Sequence, residues 1–210
     1  MYKHLIIQGG GYFGFYILGA FCELKKAKQM DDIETIYGVS IGSYIGLLIC
    51  LKINEDELLN YFINRPWHKT FLFLKDFQKG LLDQSFFRIS LKNLLLSKDL
   101  SLETTFHELY NYSKIEFHLY VTELDSMKQI DISYKTHPNM KIIDGVSQSC
   151  SMPYIFKPVF YNDKYYLDGG IFNNFPLKNC IENGTNVKEI LGFRFESKPK
   201  QIKDINNLYD

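Results

Sequence analysis

The 210-residue sequence carries no excess charge of either sign, because 24 basic residues balance 24 acidic ones. A nucleic-acid-binding surface normally declares itself as clustered surplus Lys and Arg, so that class of partner is not expected. No CxxC pair occurs among the four cysteines, Cys22, Cys50, Cys150 and Cys180. Their wide spacing argues against a disulfide scaffold and for buried or free thiols in a reducing compartment, which points to the cytoplasm. Long hydrophobic runs are also missing. The longest, Tyr44 to Leu51, is far short of the roughly 20 residues that a bilayer span needs. The N-terminal stretch MYKHLIIQGGGYFGFYILGAF looks superficially like a signal peptide. However, Gln8 and three glycines break its apolar run and no clean cleavage site follows. Internal repeats and low-complexity linkers are absent as well. The expectation is one soluble domain over residues 1–210, attached at most to the surface of a membrane, with a fraying polar tail from Ser197.

What is present is enough apolar material for a sizeable core: 46% hydrophobic residues, with aromatics at 16% of the chain. Strand and helix patterns alternate. KHLIIQ reads as a short buried strand, and Phe13, Ile17, Ala20, Phe21 and Leu24 then recur at helical spacing. IETIYGV is a second strand, followed by a buried helix in IGSYIGLLICLKI. Asn54 with Glu57 marks the start of another helix. FHLYVTEL and QIDISYK read as two strands joined by a turn at Asp125-Ser126. Residues 140–151 begin a helix, Asn162-Asp163 signals a hairpin, LKNCIENG is a helix ended by Gly184, and EILGFRFE is a last strand. The alternation implies an α/β sandwich on a largely parallel sheet. Residues 66–112 are less regular. Phe71–Phe77 and Phe86–Leu96 are apolar, and core packing is preferred to a lid or membrane-contacting surface.

Between the second strand and its helix stands Gly38-Val39-Ser40-Ile41-Gly42. Gly-x-Ser-x-Gly in a strand–turn–helix context is the pattern of a nucleophile elbow. The serine must occupy a sharp, strained turn, and glycines two before and two after let strand and helix pass without a Cβ clash. The helix beginning at Ser40 also directs its N-terminal dipole at any negative charge that develops there.

A hydroxyl is a poor nucleophile until a neighbour takes its proton. Five histidines occur, His4, His68, His107, His118 and His137, and none follows His137 in a late glycine-framed loop. Each reads as structural. Asp168, in YYLDGGIFNNFP, ends an apolar strand ahead of Gly169 and Gly170. A carboxylate held there can act as the base if it stays ionised and within reach.

The run Gly9-Gly10-Gly11-Tyr12-Phe13-Gly14 also fits G-x-G-x-x-G after a strand. A dinucleotide site would need an acid at the end of the second strand to hold the ribose. Asp31, Asp32 and Glu34 precede that strand instead, and the serine elbow occupies its end. Phe15 after Gly14 excludes a P-loop. An oxyanion hole is therefore favoured, with backbone N–H groups of Gly9, Gly10 and Gly11, joined by Ile41, as donors.

These elements, in this order, resemble the patatin-like phospholipase family. The Gly9–Gly14 run is similar to its oxyanion motif, GVSIGS to its nucleophile motif and LDGGIFNNFP to its DG[GA] motif. SQSCSMPYIFKPV resembles the segment that precedes the last of these. The likeness runs from about residue 4 to residue 178. It implies a three-layer α/β/α sandwich with a mainly parallel sheet, a Ser40–Asp168 dyad and hydrolysis of lipid acyl esters without metal or cofactor. Glycerophospholipids are the expected substrates. Gly14, Gly38, Gly42, Gly169 and Gly170 would support the motifs. One departure stands out: the family usually has Arg or Lys where this chain has Phe13. A non-catalytic lipid-binding relative is the alternative that this substitution leaves open, and a dinucleotide-binding module is the less favoured one.

Overall fold

The computed structural model describes residues 1–67 and 82–196. His68, the apolar Phe71–Phe77 stretch and the tail from Ser197 lie outside the described residues. The elements in order are β1 (His4–Ile7), α1 (Gly14–Lys26), β2 (Thr35–Val39), α2 (Ile41–Cys50), α3 (Glu55–Asn64), α4 (Ser85–Leu96), α5 (Phe106–Ser113), β3 (Glu116–Glu123), β4 (Lys128–Ile132), α6 (Ile142–Ser149), β5 (Val159–Tyr161), β6 (Lys164–Asp168), α7 (Leu177–Glu182) and β7 (Ile190–Phe193).

Local chemistry explains several boundaries. Asn54 caps α3, its side chain accepting from the N–H groups of Asp56 and Glu57. Thr105 and Glu108 form a reciprocal capping box on α5. At the hairpin, Asn162 and Asp163 both have positive φ, the backbone that a tight two-residue connection requires. Gly184 takes φ +80° just beyond α7.

The seven strands form one mixed sheet. Neighbours run β5-β6-β3-β2-β1-β7, with β4 also paired to β3. β7, β1, β2 and β3 are mutually parallel, whereas β3 pairs antiparallel with both β4 and β6. β5 is antiparallel to β6, so five strands share one direction and only β4 and β6 oppose it. Side chains alternate across the sheet, as the two-residue strand period dictates. Leu5, Ile7, Ile36, Phe117, Leu119 and Val121 join one large core with residues from α1 to α6. Ile6, Tyr37, Val39 and Tyr120 form a smaller core with Cys180 of α7. The second helical layer is thus a single six-residue helix among the described residues. α4 buries Phe87, Leu91, Leu94 and Leu95 in the large core, as the packing reading expected. All four cysteines are buried free thiols. None of the described helices is both long and apolar enough to cross a membrane.

The topology places two strand ends face to face. A strand has two edges. β4 covers one edge of β3 along Leu119–Glu123. β2, which pairs with Leu119 and Tyr120, and β6, which pairs with Val121–Glu123, must therefore lie in tandem on the other edge. β2 is parallel to β3 and β6 antiparallel, so the two run head-on. Their C-terminal residues meet, Val39 opposite Tyr120 and Asp168 opposite Val121.

Candidate active site

Ser40 follows Val39 directly, so the head-on strands bring Ser40 and Asp168 together from 128 positions apart in sequence. Ser40 has φ +55° and ψ −127°, a region that non-glycine residues rarely occupy. Such a backbone costs about 1–3 kcal/mol and persists only where its surroundings enforce it. The elbow glycines supply the room. A Cβ on Gly38 would lie 2.7 Å from the Gly42 carbonyl oxygen, and one on Gly42 would lie 2.3 Å from the Ile7 carbonyl oxygen.

The C-terminal end of α6 supplies the enforcement. Ser40 donates its N–H to Ser149 Oγ at 3.0 Å, and Ser149 Oγ donates to the Tyr120 carbonyl at 2.7 Å. Ser43 Oγ lies 2.7 Å from Ser149 Oγ and must be the donor there, because the single Ser149 proton is already used. Two residues on, the Ser151 carbonyl accepts the Asp168 N–H at 3.0 Å. One turn of chain therefore fixes both members of the pair.

Asp168 is 5% exposed. Its Oδ1 accepts the Gly170 N–H at 2.7 Å, and its carbonyl accepts the Thr122 hydroxyl at 2.9 Å. Burial pushes its carboxyl up to about 6, partly offset by hydrogen bonding from the Ser40 side chain and the Gly170 N–H, both of which favour the ionised form. A carboxylate so placed is mostly ionised at neutral pH, yet its pKa lies closer to neutrality than that of an ordinary aspartate.

The glycine run follows β1 and passes beside the serine: a Cβ on Gly9 would lie 3.0 Å from Ser40 Cβ. The four expected oxyanion donors are not equivalent. Gly9 spends its N–H on the Asn174 carbonyl at 3.3 Å, which removes it from the donor set and leaves it the role of close approach. Among the described residues, no protein acceptor meets the N–H groups of Gly10, Gly11 or Ile41. Ile41 opens α2, so its amide belongs to a helix N-terminus that favours negative charge. Phe13 turns to aromatic neighbours, with its ring 4.3 Å from Tyr12 and 5.2 Å from Phe195.

Ser40, Ile41 and Gly11 open onto a cavity of about 480 Å³. Phe15, Leu18, Tyr44, Phe62, Trp67 and Phe156 contribute to its walls, and no charged residue lines it among those described. No histidine among the described residues lines it either. His118 is buried elsewhere, stacked on Tyr37 at 4.7 Å and bonded to Asp131 and Glu116 at 2.9 Å. Burial works against its charge, but those two carboxylates outweigh it and push the imidazole up to about 9. A histidine held protonated in this way is no general base. His4 pairs with Thr35 and His137 with Thr136, while His107 sits exposed on α5. Among the described residues, no cluster of His, Cys, Asp and Glu forms a metal site.

Comparison with known proteins gives the family and the fold. The patatin-like phospholipase family model matches residues 5–181. The chain is 30% identical over 187 residues to a probable lipid hydrolase, 463L, of Invertebrate iridescent virus 6, covering 86% of this chain and 64% of that one. It is 24% identical over 214 residues to triacylglycerol lipase 5 of Saccharomyces cerevisiae, covering 85% of this chain and 28% of that one. The fold superposes on VipD from Legionella pneumophila with a TM-score of 0.72 at 16% identity, over 91% of this chain and 49% of that one. The chain thus spans less than two thirds of the length of each of these relatives.

Proposed function

This chain belongs to the patatin-like phospholipase family, and we propose that it is a serine lipid acyl hydrolase of the phospholipase A type, working through Ser40 and Asp168. The observation that carries the reading is the convergence of a strained serine elbow and a buried carboxylate beside an apolar cavity. Asp168 takes the Ser40 proton as the oxygen attacks the acyl carbonyl. The N–H groups of Gly10, Gly11 and Ile41 hold the resulting oxyanion, and a single donor of this kind contributes about 3–4 kcal/mol. The carbonyl re-forms, the alcohol leaves with the proton, and an acyl-Ser40 ester remains. Water, deprotonated by Asp168, then releases the fatty acid.

The cavity fits the acyl chain. Each methylene moved from water into it contributes about 0.8 kcal/mol before the costs of association. Tyr12, Phe15, Met152 and Ile155 line the cavity and are also exposed. Such residues suit peripheral contact with a lipid surface from which a chain enters. Glycerophospholipids are the proposed substrates. The test is to incubate purified protein with mixed lipid vesicles and measure fatty acid and lysolipid by mass spectrometry. Both should appear, and neither with Ser40→Ala. Binding to the vesicles without turnover would instead identify a non-catalytic lipid-binding protein.

A further inference from the structure

Asn174 touches both halves of the site. Its Nδ2 donates to the Gly9 carbonyl at 3.0 Å, while its own carbonyl accepts the Gly9 N–H at 3.3 Å. The Gly9 peptide is thereby clamped on both polar groups, next to Ser40 Cβ. The Asn174 side chain also fills the space beside the base loop. A Cβ on Gly9 would lie 2.3 Å from Asn174 Oδ1, and one on Gly170 would lie 2.7 Å from it. That same point on Gly170 is 3.0 Å from Asp168 Oδ1, which puts the Asn174 and Asp168 oxygens within about 6 Å of each other. Gly170 is the residue whose N–H bonds Asp168.

We infer that Asn174 is a positioning residue that sets the spacing between the oxyanion loop and the base. The inference rests on the hydrolase reading for its kinetic consequences. Only a neutral side chain with a donor fits here. An acceptor alone would face the Gly9 carbonyl, and a charge would sit beside a carboxylate that must ionise. Misplacing reacting groups by about 1 Å costs on the order of 100-fold in rate, so truncation acts on kcat and leaves the acyl cavity, and hence KM, nearly untouched.

The experiment pairs two variants. Asn174→Ala should lower kcat by about 10- to 100-fold with KM within about threefold. Asn174→Asp should change the form of the pH profile of kcat/KM. Two carboxylates within about 6 Å share a proton, and their titration splits into two macroscopic steps. The active form then carries an ionised Asp168 and a protonated residue at 174 that still donates to Gly9. The rising limb and plateau of the wild type should become a bell that falls again on the alkaline side. A structural role alone would lower the curve without reshaping it, so an unreshaped curve overturns the inference, as does an Asn174→Ala kcat within twofold of wild type. Amide hydrogen exchange tests the clamp independently of turnover. Asn174→Ala should speed exchange of the bonded amides of Gly9 and Phe13 at least tenfold while α2 is unaffected, and equal rates there overturn the inference. Absence of wild-type turnover would count against the hydrolase reading and leave the exchange result to decide this one.

Discussion

Replacing Asp168 by asparagine should stabilise the protein while destroying its activity. Burial raises the folded carboxyl to about 6, against about 3.9 in an unfolded chain. Below pH 4 both states are protonated and the group contributes nothing. As pH rises from 4 to 6 the unfolded chain ionises more readily than the folded one, and stability falls. Above pH 6 the penalty is complete: about two pKa units, or about 3 kcal/mol. Asparagine removes it while keeping an oxygen to accept the Gly170 N–H. For a domain of this size, 3 kcal/mol corresponds to about 6–12 °C in Tm. The assay is urea denaturation of wild type and Asp168→Asn at pH 7.5 and pH 4, beside an esterase measurement. The variant should gain about 1–3 kcal/mol at pH 7.5, gain almost nothing at pH 4, and show no turnover. A variant no more stable at pH 7.5, or a gain indifferent to pH, would refute the argument that burial of this carboxylate is tolerated for function.

Two further outcomes follow from the same geometry. In wild-type protein, kcat/KM should fall as pH drops through about 6, because protonated Asp168 cannot accept the Ser40 proton; a profile flat down to pH 4 would require another base. Ser149→Ala strips partners from the Ser40 N–H, the Ser43 hydroxyl and the Tyr120 carbonyl. It should cost about 2–4 kcal/mol in chemical denaturation and lower kcat, so an unchanged midpoint would show that the elbow is held by something else.

The residues proposed to carry the chemistry were legible because each sits in a local pattern. Gly38 and Gly42 bracket Ser40, and Gly169 and Gly170 follow Asp168 at a strand end. Strands β3 and β4, the hairpin at Asn162-Asp163 and the capped start of helix α3 at Asn54 were readable for the same reason: turn chemistry and side-chain period are local properties. The convergence of Ser40 with Asp168 was expected only through the family resemblance and was not readable from local pattern. It depends on β2 and β6 sharing one edge of β3, a matter of long-range register. Ser149 and Asn174 were hidden because they act by hydrogen bonds to backbone groups more than 100 positions away. The oxyanion set was misread at Gly9 because composition does not say which way an amide points; the Asn174 carbonyl takes that N–H. The stretch SQSCSMP stood out only by resemblance, and its physical reason is the pair of bonds that Ser149 and Ser151 make to Ser40 and Asp168.

The central claim is that Ser40 is a nucleophile activated by a neighbouring carboxylate. Its most direct test is fluorophosphonate labelling at pH 7.5, read by peptide mass spectrometry. One adduct should form, on Ser40, with Ser40→Ala unlabelled and Asp168→Asn labelled far more slowly. An adduct on another residue, or equal labelling rates with and without the Asp168 carboxylate, would contradict the account.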